Sequence, residues 1–401
     1  MLDFDDAQQR LAAAGGVPTI TESCPLSQAS GRVLAQTLFA TLDLPPADNS
    51  AMDGYAIRHA DYAPGRALPI QQRCFAGEKP QALVAGQAIR LFTGSLIPEG
   101  ADTVVMQEDA EEADNAVTLT LAPTLGTHVR RRGEDVAQGK QLLARGTLLR
   151  AAELALLASQ GYAEVPVFAR LKIGLLTTGD ELVAPGTPRD EAQIFNSNSP
   201  MLAALAAGLG AQVVHTLHAA DTASALDDAF QTLLRDCDLI LTVGGVSVGE
   251  KDLVKPTIEQ LGGTLDMWRV RMKPGKPVAF ARIQGKPVVC LPGNPVSAFA
   301  VFTLLVTPLV RAMQGRADTL PPVGFGTLAT SQVFQEKRDD FLRVRAEPRA
   351  DGLPQLVPYA QQGSGIISAL PWASGLARVP AGASTGNGAV LRYYDLAHWL
   401  A

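Results

Sequence analysis

The chain has few cysteines, few aromatic residues and few charges for its 401 residues. Its four cysteines lie far apart, without a C-x-x-C pair or a histidine at zinc-ligand spacing; they are Cys24, Cys74, Cys237 and Cys290. This pattern excludes a disulfide framework and predicts a reduced, zinc-free protein. Cys237 and Cys290 lie in apolar runs, where a buried thiol is a better interpretation than a nucleophile. His215 and His218 lie on opposite faces of a strand-like run, so we expect no metal pair.

The sequence also lacks an excess of positive charge and a long uninterrupted apolar helix. Lys and Arg number 34 against 40 Asp and Glu, a net charge of -6, which is unfavourable for nucleic acid. The N-terminal MLDFDDAQQR resembles neither a secretory nor a transit peptide, so we expect a cytoplasmic protein. The uncharged stretch 287–310 contains Pro292, Pro295 and Pro308, which we expect to break it too often for a membrane span.

What is present is typical of a globular protein of two or three domains. Hydrophobic residues make up 47%, and helices are predicted at 5–14, closed by Gly15, and at 151–160, closed by Gly161. Residues 168–320 alternate strand-like and helical segments, which predicts a parallel sheet covered by helices. Residues 47–145 are predicted to be rich in β-structure, and residues 321–401 to form a small β-barrel. The remaining parts, 1–46 and 146–167, are assigned to a discontinuous N-terminal domain.

Polar residues follow each predicted strand of the α/β region. The strand candidates are Lys172–Leu176, Gln212–Leu217, Leu239–Val243 and Val288–Leu291. Ligands of open α/β sheets bind beyond the carboxyl ends of the strands, so we place the candidate site there. Two of these ends carry glycine-rich turns, which allow backbone N–H groups to approach an anion closely. The candidate binding residues in the turns are Gly244, Gly245, Ser247 and Gly249, and Pro292, Gly293, Asn294, Pro295 and Ser297.

Acids and cations near these turns indicate oxyanion chemistry. Glu181, Asp221 and Asp252 follow three different strands and could hold Mg²⁺, which prefers a few carboxylates with water and substrate phosphate. Taken singly, such an acid is more often a helix cap or a surface charge than a metal ligand. Arg269, Lys273 and Lys276 place cations in a Pro- and Gly-containing loop suited to a bound oxyanion, with a solvated basic loop as the alternative. The residues alone predict a Mg²⁺-dependent anion-binding enzyme.

A second polar cluster lies in the predicted β-rich domain. It contains Asp53, Thr93 and Asp135, and its local chemistry identifies no reaction. Three cations, Arg130–Arg132, precede Glu134 and Asp135 and favour a salt-bridged turn over a site.

Several segments together resemble one known family. They are PPADNSAMDGYA (45–56), TGSLIPEGAD (93–102), RRRGEDV (130–136), TTGDEL (177–182), GGVSVGEKD (244–252), KPGKP (273–277) and LPGNPVSA (291–298). In this order, they are similar to the molybdopterin molybdenumtransferases, the MoeA family that includes the gephyrin E domain. The resemblance implies an elongated homodimer of four-domain subunits, of multidomain α/β plus β class. The central three-layer α/β domain would be similar to molybdopterin adenylyltransferase, with a β-rich insertion domain and a C-terminal β-barrel.

The resemblance also implies the reaction and the roles of matching residues. Molybdate would be inserted into the dithiolene of adenylylated molybdopterin, with Mg²⁺-dependent release of AMP. Glu181, Asp221 and Asp252 match the family's acidic site residues and would be catalytic and metal-binding; Asp53, Asp135 and Thr93 match site residues from other domains. Lys273 and Lys276 resemble oxyanion-binding lysines, Arg269 stands where a bacterial relative has lysine, and Arg343 and Ser364 match barrel residues that face the cleft.

Because Asp53 lies ~120 residues or more upstream of the strand ends, a shared site would need domain or subunit contact, and dimerisation is the hypothesis we adopt. Molybdopterin adenylyltransferase and proteins that load molybdoenzymes are further candidate partners. Two other functions remain open: adenylyl transfer from ATP to molybdopterin, and a binding or scaffold role like that of gephyrin's related domain. The acids at 181, 221 and 252 favour catalysis.

Overall fold

The computed structural model describes residues 1–245, 252–350 and 352–401. The chain folds into two compact units. The first unit contains Met1–Gln36, Arg145–Arg150 and Glu164–Ala401, and the second contains Thr37–Ala144 and Ala151–Ala163. The division into four domains stays a prediction.

Eight α-helices lie in the described residues. They are α1 (Phe4–Ala14), α2 (Ala151–Ser159), α3 (Asn198–Gly208), α4 (Ala223–Asp236), α5 (Val254–Gln260), α6 (Pro295–Val301), α7 (Thr307–Met313) and α8 (Leu396–Trp399). Both helices predicted from the sequence are confirmed, α1 with Asp3 as its N-cap and Gly15 as its C-cap. A π-helical segment, Phe302–Val306, joins α6 to α7.

Twenty-eight strands, many of them two residues long, are present in the same residues. The first fourteen are β1 (Thr21–Pro25), β2 (Leu38–Phe39), β3 (Asn49–Ser50), β4 (Gly54–Ile57), β5 (Ala67–Cys74), β6 (Ala88–Leu91), β7 (Thr103–Met106), β8 (Ala110–Ala113), β9 (Ala116–Leu119), β10 (Val129–Arg130), β11 (Gln141–Leu143), β12 (Glu164–Phe168), β13 (Lys172–Thr178) and β14 (Leu182–Val183). The others are β15 (Ile194–Phe195), β16 (Gln212–Ala219), β17 (Leu239–Val243), β18 (Thr264–Trp268), β19 (Met272–Lys273), β20 (Ala279–Ile283), β21 (Lys286–Leu291), β22 (Gly324–Leu328), β23 (Phe334–Gln335), β24 (Asp339–Glu347), β25 (Gln355–Pro358), β26 (Gly375–Val379), β27 (Ser384–Thr385) and β28 (Val390–Asp395).

One six-stranded sheet of the first unit has the strand order β16-β13-β17-β21-β20-β18. All four predicted strands are confirmed, and they are the parallel part of this sheet. The predicted parallel sheet is therefore confirmed for these strands, and β20 and β18, which were not predicted, extend it in antiparallel fashion. Apolar side chains pack on both faces: Leu202 of α3 and Leu309 of α7 belong to one core, and Phe230 of α4 belongs to the other. Helices therefore cover both faces, which makes a three-layer arrangement.

The first unit also contains the predicted barrel. Strands β24, β25, β22, β28 and β26 pair in this order, and β26 pairs back to β24, which closes the sheet. Apolar side chains from several strands fill its interior, among them Leu328, Leu342 and Leu356. Strand β19 pairs in parallel with β24, so that Lys273 lies opposite Asp340. The basic loop is thereby attached to the barrel.

The second unit is rich in β-structure, as predicted. Its main sheet has the order β7-β4-β6-β5-β9-β8, and α2 is the one α-helix among its residues. Two small apolar cores, one around Ile57 and Leu68 and the other around Ile89 and Leu91, lie against this sheet.

One helical segment corrects an expectation from the sequence. Pro295–Met313 forms 19 continuous helical residues, long and apolar enough to cross a membrane by those criteria alone. Pro308 lies inside this segment and does not end it, contrary to the prediction. Because 94% of the segment is buried within the protein, it is a core helix of the first unit.

Candidate active site

A pocket of about 430 Å³ lies at the carboxyl ends of β13, β17 and β21. Seven of the predicted site residues line it: Glu181, Gly244, Pro292, Gly293, Asn294, Pro295 and Ser297. Its wall also contains apolar side chains, including the half-exposed Ile194 and Phe195. Residues assigned to the site from two separate turns therefore line one concavity, and their role in binding stays a prediction.

Two glycine-rich turns form one side of this pocket. Gly244 has φ +93°, and a Cβ there would lie 2.6 Å from the carbonyl oxygen of Thr178, so both the backbone angle and the close packing require glycine. A Cβ on Gly293 would lie 4.0 Å from the Cα of Gly244. The turns that follow β17 and β21 are thus neighbours. Ser247 and Gly249, predicted in the first turn, lie outside the described residues.

The start of α6 is held by a side chain of the barrel region. Asn294 occupies the N-cap position and Pro295 the first helical position, as predicted, but the Asn294 side chain makes no capping hydrogen bond. Its Nδ2 instead donates to Oγ of Ser364, at 3.2 Å. Asn294 and Ser364, which were placed in the site on separate grounds, are therefore in contact.

The three predicted metal-binding acids do not form a cluster. Oδ1 of Asp221 accepts a hydrogen bond from the Thr178 hydroxyl, and its Oδ2 accepts from the backbone N–H of Asp180 at 3.3 Å. Glu181 is exposed at the pocket, and Asp252 is not among the described residues that line it. Within the described residues, no group of three His, Cys, Asp or Glu side chains could hold a metal ion. The residues present do not by themselves make a complete Mg²⁺ site.

Lys273, predicted to bind an oxyanion, already has two carboxylate partners. Its Nζ lies 2.5 Å from Glu336 and 3.1 Å from Asp340. Burial acts to lower the pKa of Lys273, but the hydrogen bonds and charges of these two acids outweigh it and raise that pKa above its usual value. Burial raises the pKa of Asp340, whose side chain is only 3% exposed. Lys276 is exposed and Arg269 partly buried, and neither is among the described residues that line the pocket.

Arg343, predicted to face the cleft, is fully buried. Its Nη2 donates to the carbonyl oxygens of Gln361 and Gly363, at 3.2 and 3.0 Å. The side chain of Gln362 accepts from the Arg343 backbone N–H and donates to the Arg343 carbonyl. These bonds fasten the segment that carries Ser364 onto β24. Because burial takes its guanidinium out of water, the pKa of Arg343 is lowered.

In the second unit, Asp53 and Thr93 are brought together. Oδ1 of Asp53 accepts from the Thr93 backbone N–H at 2.7 Å and from its hydroxyl at 2.8 Å. These hydrogen bonds lower the pKa of Asp53 below its usual value, so its carboxylate is ionised at neutral pH. Asp135 is exposed in the same unit. The basic run before it is a salt-bridged turn, as predicted: Arg131 pairs with Asp48 and Arg132 with Asp43.

Arg90, beside Asp53, was missed by the sequence analysis. Its guanidinium lies 4.8 Å from the ring centre of Tyr55 and 5.0 Å from that of Phe92. Arg90 is 8% exposed, and its Nη1 has no hydrogen-bond partner in the described part of the chain. An arginine inside a β-strand is ordinarily a surface residue, so no local pattern could have identified it.

The cysteines have the role predicted for them. All four are buried and free. Burial raises the pKa of Cys237 and of Cys290 to about 11, so both thiols are protonated and unreactive at neutral pH. Oδ2 of Asp236 lies 2.8 Å from Nε2 of His215, so this histidine has a structural partner.

Fold and site together define the class. It is a protein with a helix-covered α/β sheet, a pocket at the strand ends of that sheet, and an attached closed β-barrel. Comparison with known proteins identifies the family. Residues 2–161 match the MoeA N-terminal region (domain I and II), residues 174–312 a probable molybdopterin binding domain, and residues 326–396 the MoeA C-terminal region (domain IV).

Whole-chain relatives agree. The chain is 37% identical to the molybdopterin molybdenumtransferase of Haemophilus influenzae over 372 residues, 92% of each protein. It is 36% identical to molybdopterin molybdenumtransferase 2 of Mycobacterium tuberculosis over 93% of this chain and 94% of that one. The crystal structure of the MoeA protein from Pyrococcus horikoshii OT3 superposes with a TM-score of 0.83 at 28% identity, covering 98% of this chain and 100% of that one. The chain belongs to the molybdopterin molybdenumtransferase (MoeA) family.

Proposed function

We propose that this protein inserts molybdate into adenylylated molybdopterin and releases AMP, in a Mg²⁺-dependent step of molybdenum cofactor biosynthesis. The observation that carries the proposal is the strand-end pocket, which gathers seven residues assigned to the site from the sequence alone. Relatives that match along the whole chain carry the corresponding name. The substrate of the reaction is therefore an anionic pterin, and molybdate is a second substrate.

The chain's own residues have two tasks in this proposal. Backbone groups of the Gly244 and Gly293 turns bind the substrate at the pocket, and exposed cations such as Lys276 offset the repulsion between molybdate and the phosphoanhydride. Lys273 contributes less net charge than its sequence position suggests, because Glu336 and Asp340 already neutralise it. No covalent nucleophile is required, and all four cysteines are buried away from the substrate.

Mg²⁺ enters the proposal through the family resemblance. Since the described residues hold no group of three ligands, we infer that the ion binds only with the substrate. Mg²⁺ is commonly held by one or two carboxylates, waters and substrate phosphates. Glu181, Asp221 and Asp252 are the candidate carboxylates, and we derive no catalytic step through the ion.

The remaining parts of the proposal concern the cellular compartment, the oligomeric state and the binding partners. A cytoplasmic homodimer is expected, with adenylylated molybdopterin and molybdate as ligands. Molybdopterin adenylyltransferase, as supplier of the substrate, and proteins that load molybdoenzymes are further expected partners.

The test is AMP release from adenylylated molybdopterin with molybdate, with and without Mg²⁺. We expect release to require molybdate and to fall at least about tenfold, equivalent to ~1.4 kcal/mol, in Glu181→Gln and in Lys276→Ala. Glu191→Gln is the matched control, because Glu191 is an exposed acid in the same region and does not line the pocket. Lys273→Ala is a poor probe, because it would leave the buried Asp340 without its cation.

Other outcomes would favour the alternative functions. AMP transfer from ATP to molybdopterin would indicate an adenylyltransferase. Binding of the substrate or of a peptide without turnover would indicate a scaffold. Equal activity of Glu181→Gln and Glu191→Gln would remove Glu181 from the reaction.

A further inference from the structure

Asn198, the first residue of α3, lines the strand-end pocket and has one amide atom without a partner. The residue is 6% exposed, and its Oδ1 makes no hydrogen bond within the described residues. A buried acceptor without a hydrogen bond is energetically unfavourable, so native proteins seldom leave one at a site without a reason. Asn198 was not among the residues assigned from the sequence.

The orientation of this amide is fixed by its other end. Nδ2 of Asn198 donates to the carbonyl oxygen of Gly293 at 2.7 Å. A flipped amide would set two acceptors against each other, so the group next to Gly293 must be the NH₂. The atom left over is therefore an acceptor, and its missing partner must be a donor.

A neighbouring asparagine shows what a purely structural amide looks like here. Asn196 is similarly buried, at 8% exposure. Its Nδ2 donates to the hydroxyls of Thr177 and Ser199, at 2.9 and 3.0 Å, and its Oδ1 accepts from the Ser199 backbone N–H. Both polar atoms of the Asn196 amide therefore have hydrogen-bond partners, whereas in Asn198 only Nδ2 has one.

The pocket around Asn198 fits a flat, uncharged ring better than an anion. Apolar side chains such as Leu182, Phe195 and Pro277 form much of its wall, and among the described lining residues there is no Lys or Arg. The one charged group there is the Glu181 carboxylate, itself an acceptor. Such walls favour a ring that donates hydrogen bonds and disfavour phosphate or molybdate at this point.

We propose that Oδ1 of Asn198 accepts a hydrogen bond from an N–H group of the substrate's heterocycle and thereby selects for that ring. This inference rests on the proposed function, whose substrate carries two rings with N–H groups, the pterin and the adenine. Both polar atoms of the Asn198 amide then have a partner: Nδ2 donates to the Gly293 carbonyl, and Oδ1 accepts from the ligand.

The test is a fluorescence or calorimetric titration of the full chain with four ligands that lack the dithiolene and phosphate. They are a pterin, the same pterin with its N–H groups methylated, adenosine and N6,N6-dimethyladenosine. In the wild type we expect methylation of the recognised ring to weaken binding about tenfold, the effect of one hydrogen bond of ~1.4 kcal/mol. In Asn198→Ala, the two forms of that ring should bind equally.

The variants separate recognition from positioning. If Asn198 only holds the Gly293 turn, Asn198→Ala weakens both forms of each ring by the same factor, and the proposal is overturned. Asn196→Ala is the structural control and should lower the unfolding midpoint while keeping the wild-type ratio between the two forms. The recognised ring is the pterin if methylation weakens binding of the pterin, and the adenine if methylation weakens binding of adenosine. Suppose that the wild type releases AMP and that Asn198→Ala keeps the wild-type ratio of affinities for the unmethylated and methylated ring. This result would refute this inference alone. A wild type that binds neither ring and releases no AMP would refute both the proposed function and this inference.

Discussion

Arg343 is a buried cation whose hydrogen bonds reach the pocket through other residues. Its guanidinium donates to the carbonyl groups of Gln361 and Gly363, and the next residue, Ser364, accepts from Asn294 at the pocket. A fully buried side chain cannot touch a substrate in this conformation, so we expect Arg343 to act as a positioning residue.

Replacement of Arg343 by lysine tests this role. A single ammonium cannot reproduce the fork that spans Gln361 and Gly363, so Arg343→Lys should lose about 1–3 kcal/mol of unfolding free energy and raise KM more than it lowers kcat. Denaturant unfolding and AMP-release kinetics measure the two effects. Arg345→Lys is the control, because Arg345 lies on the same strand, is exposed and contacts Trp372 through its carbonyl and its ring. Equal unfolding free energies and equal AMP-release kinetics of the two variants would show that Arg343 is not a positioning residue.

The sequence predicted which residues lie near the site better than it predicted what they contact. The Gly244 and Gly293 turns and the helix start at Asn294 follow from local rules for strand ends and helix caps, and the structure has them. The partners of Lys273 and Arg343 come from segments distant in the chain. No local pattern encodes such a pairing, and the pocket role of Asn198 depends on a similar long-range contact with Gly293.

At the scale of elements, the segment Pro295–Met313 shows how a proline is accommodated inside a helix. Pro308 has no N–H group to donate to the carbonyl of Leu304, four residues earlier. Nε2 of Gln8, from α1, donates to that carbonyl at 2.7 Å instead. The π-helical segment Phe302–Val306 precedes the proline, and the backbone N–H of Thr307 bonds to the Phe302 carbonyl. The expectation of a broken helix failed because a side chain almost 300 residues away replaces the missing donor.

Gln8→Met removes that donor while keeping the length and volume of the side chain. The buried Leu304 carbonyl would then be unsatisfied, at a cost of about 1–3 kcal/mol, which chemical denaturation would measure. Gln9→Met is the control, because Gln9 is the next residue of α1 and is exposed; its unfolding free energy should change by less than ~0.5 kcal/mol. Equal stability of the two variants would mean that Pro308 needs no help from α1.

Strands with continuous apolar runs were predictable, and two strands of the same sheet that contain a charged residue were not. The core strands β13, β17 and β21 are buried on both faces, which gives the unbroken apolar pattern expected of parallel strands. Strands β18 and β20 include Asp266 and Arg282, which interrupt the pattern. These two charges lie 3.4 Å apart across the antiparallel pair. The charged residues that obscured the strand pattern in the sequence therefore form an ion pair between the two strands.

At the scale of the whole molecule, the chain leaves the first unit and returns to it more than once. Thr37–Ala144 and Ala151–Ala163 form the second unit, while the six residues Arg145–Arg150 between them belong to the first. Proline and glycine signals placed boundaries near residues 46 and 146, but they do not reveal which unit a short segment packs against. The helix α2 was assigned to the N-terminal domain, and in the structure its residues group with the second unit; the four-domain division stays a prediction.

The expected homodimer makes a prediction about the surface of the first unit. Val17 and Ile20, 70% and 69% exposed, lie on one short loop beside two adjoining pockets of about 230 and 460 Å³. Clustered exposed apolar side chains commonly mark an interaction surface, so we expect the dimer to cover this loop. The double variant Val17→Asp/Ile20→Asp should sediment with the 42.2 kDa mass of one subunit at concentrations where the wild type has twice that mass.

The control for this experiment is Val333→Asp, which changes an equally exposed valine, at 68%, near the barrel. It should leave the native mass unchanged, because an isolated exposed apolar residue is ordinary on a protein surface. Each variant must keep the wild-type unfolding midpoint, so that a lower mass reports the interface and not the fold. A wild type that sediments as a single subunit would refute the homodimer, and a double variant that stays dimeric would place the interface elsewhere on the molecule.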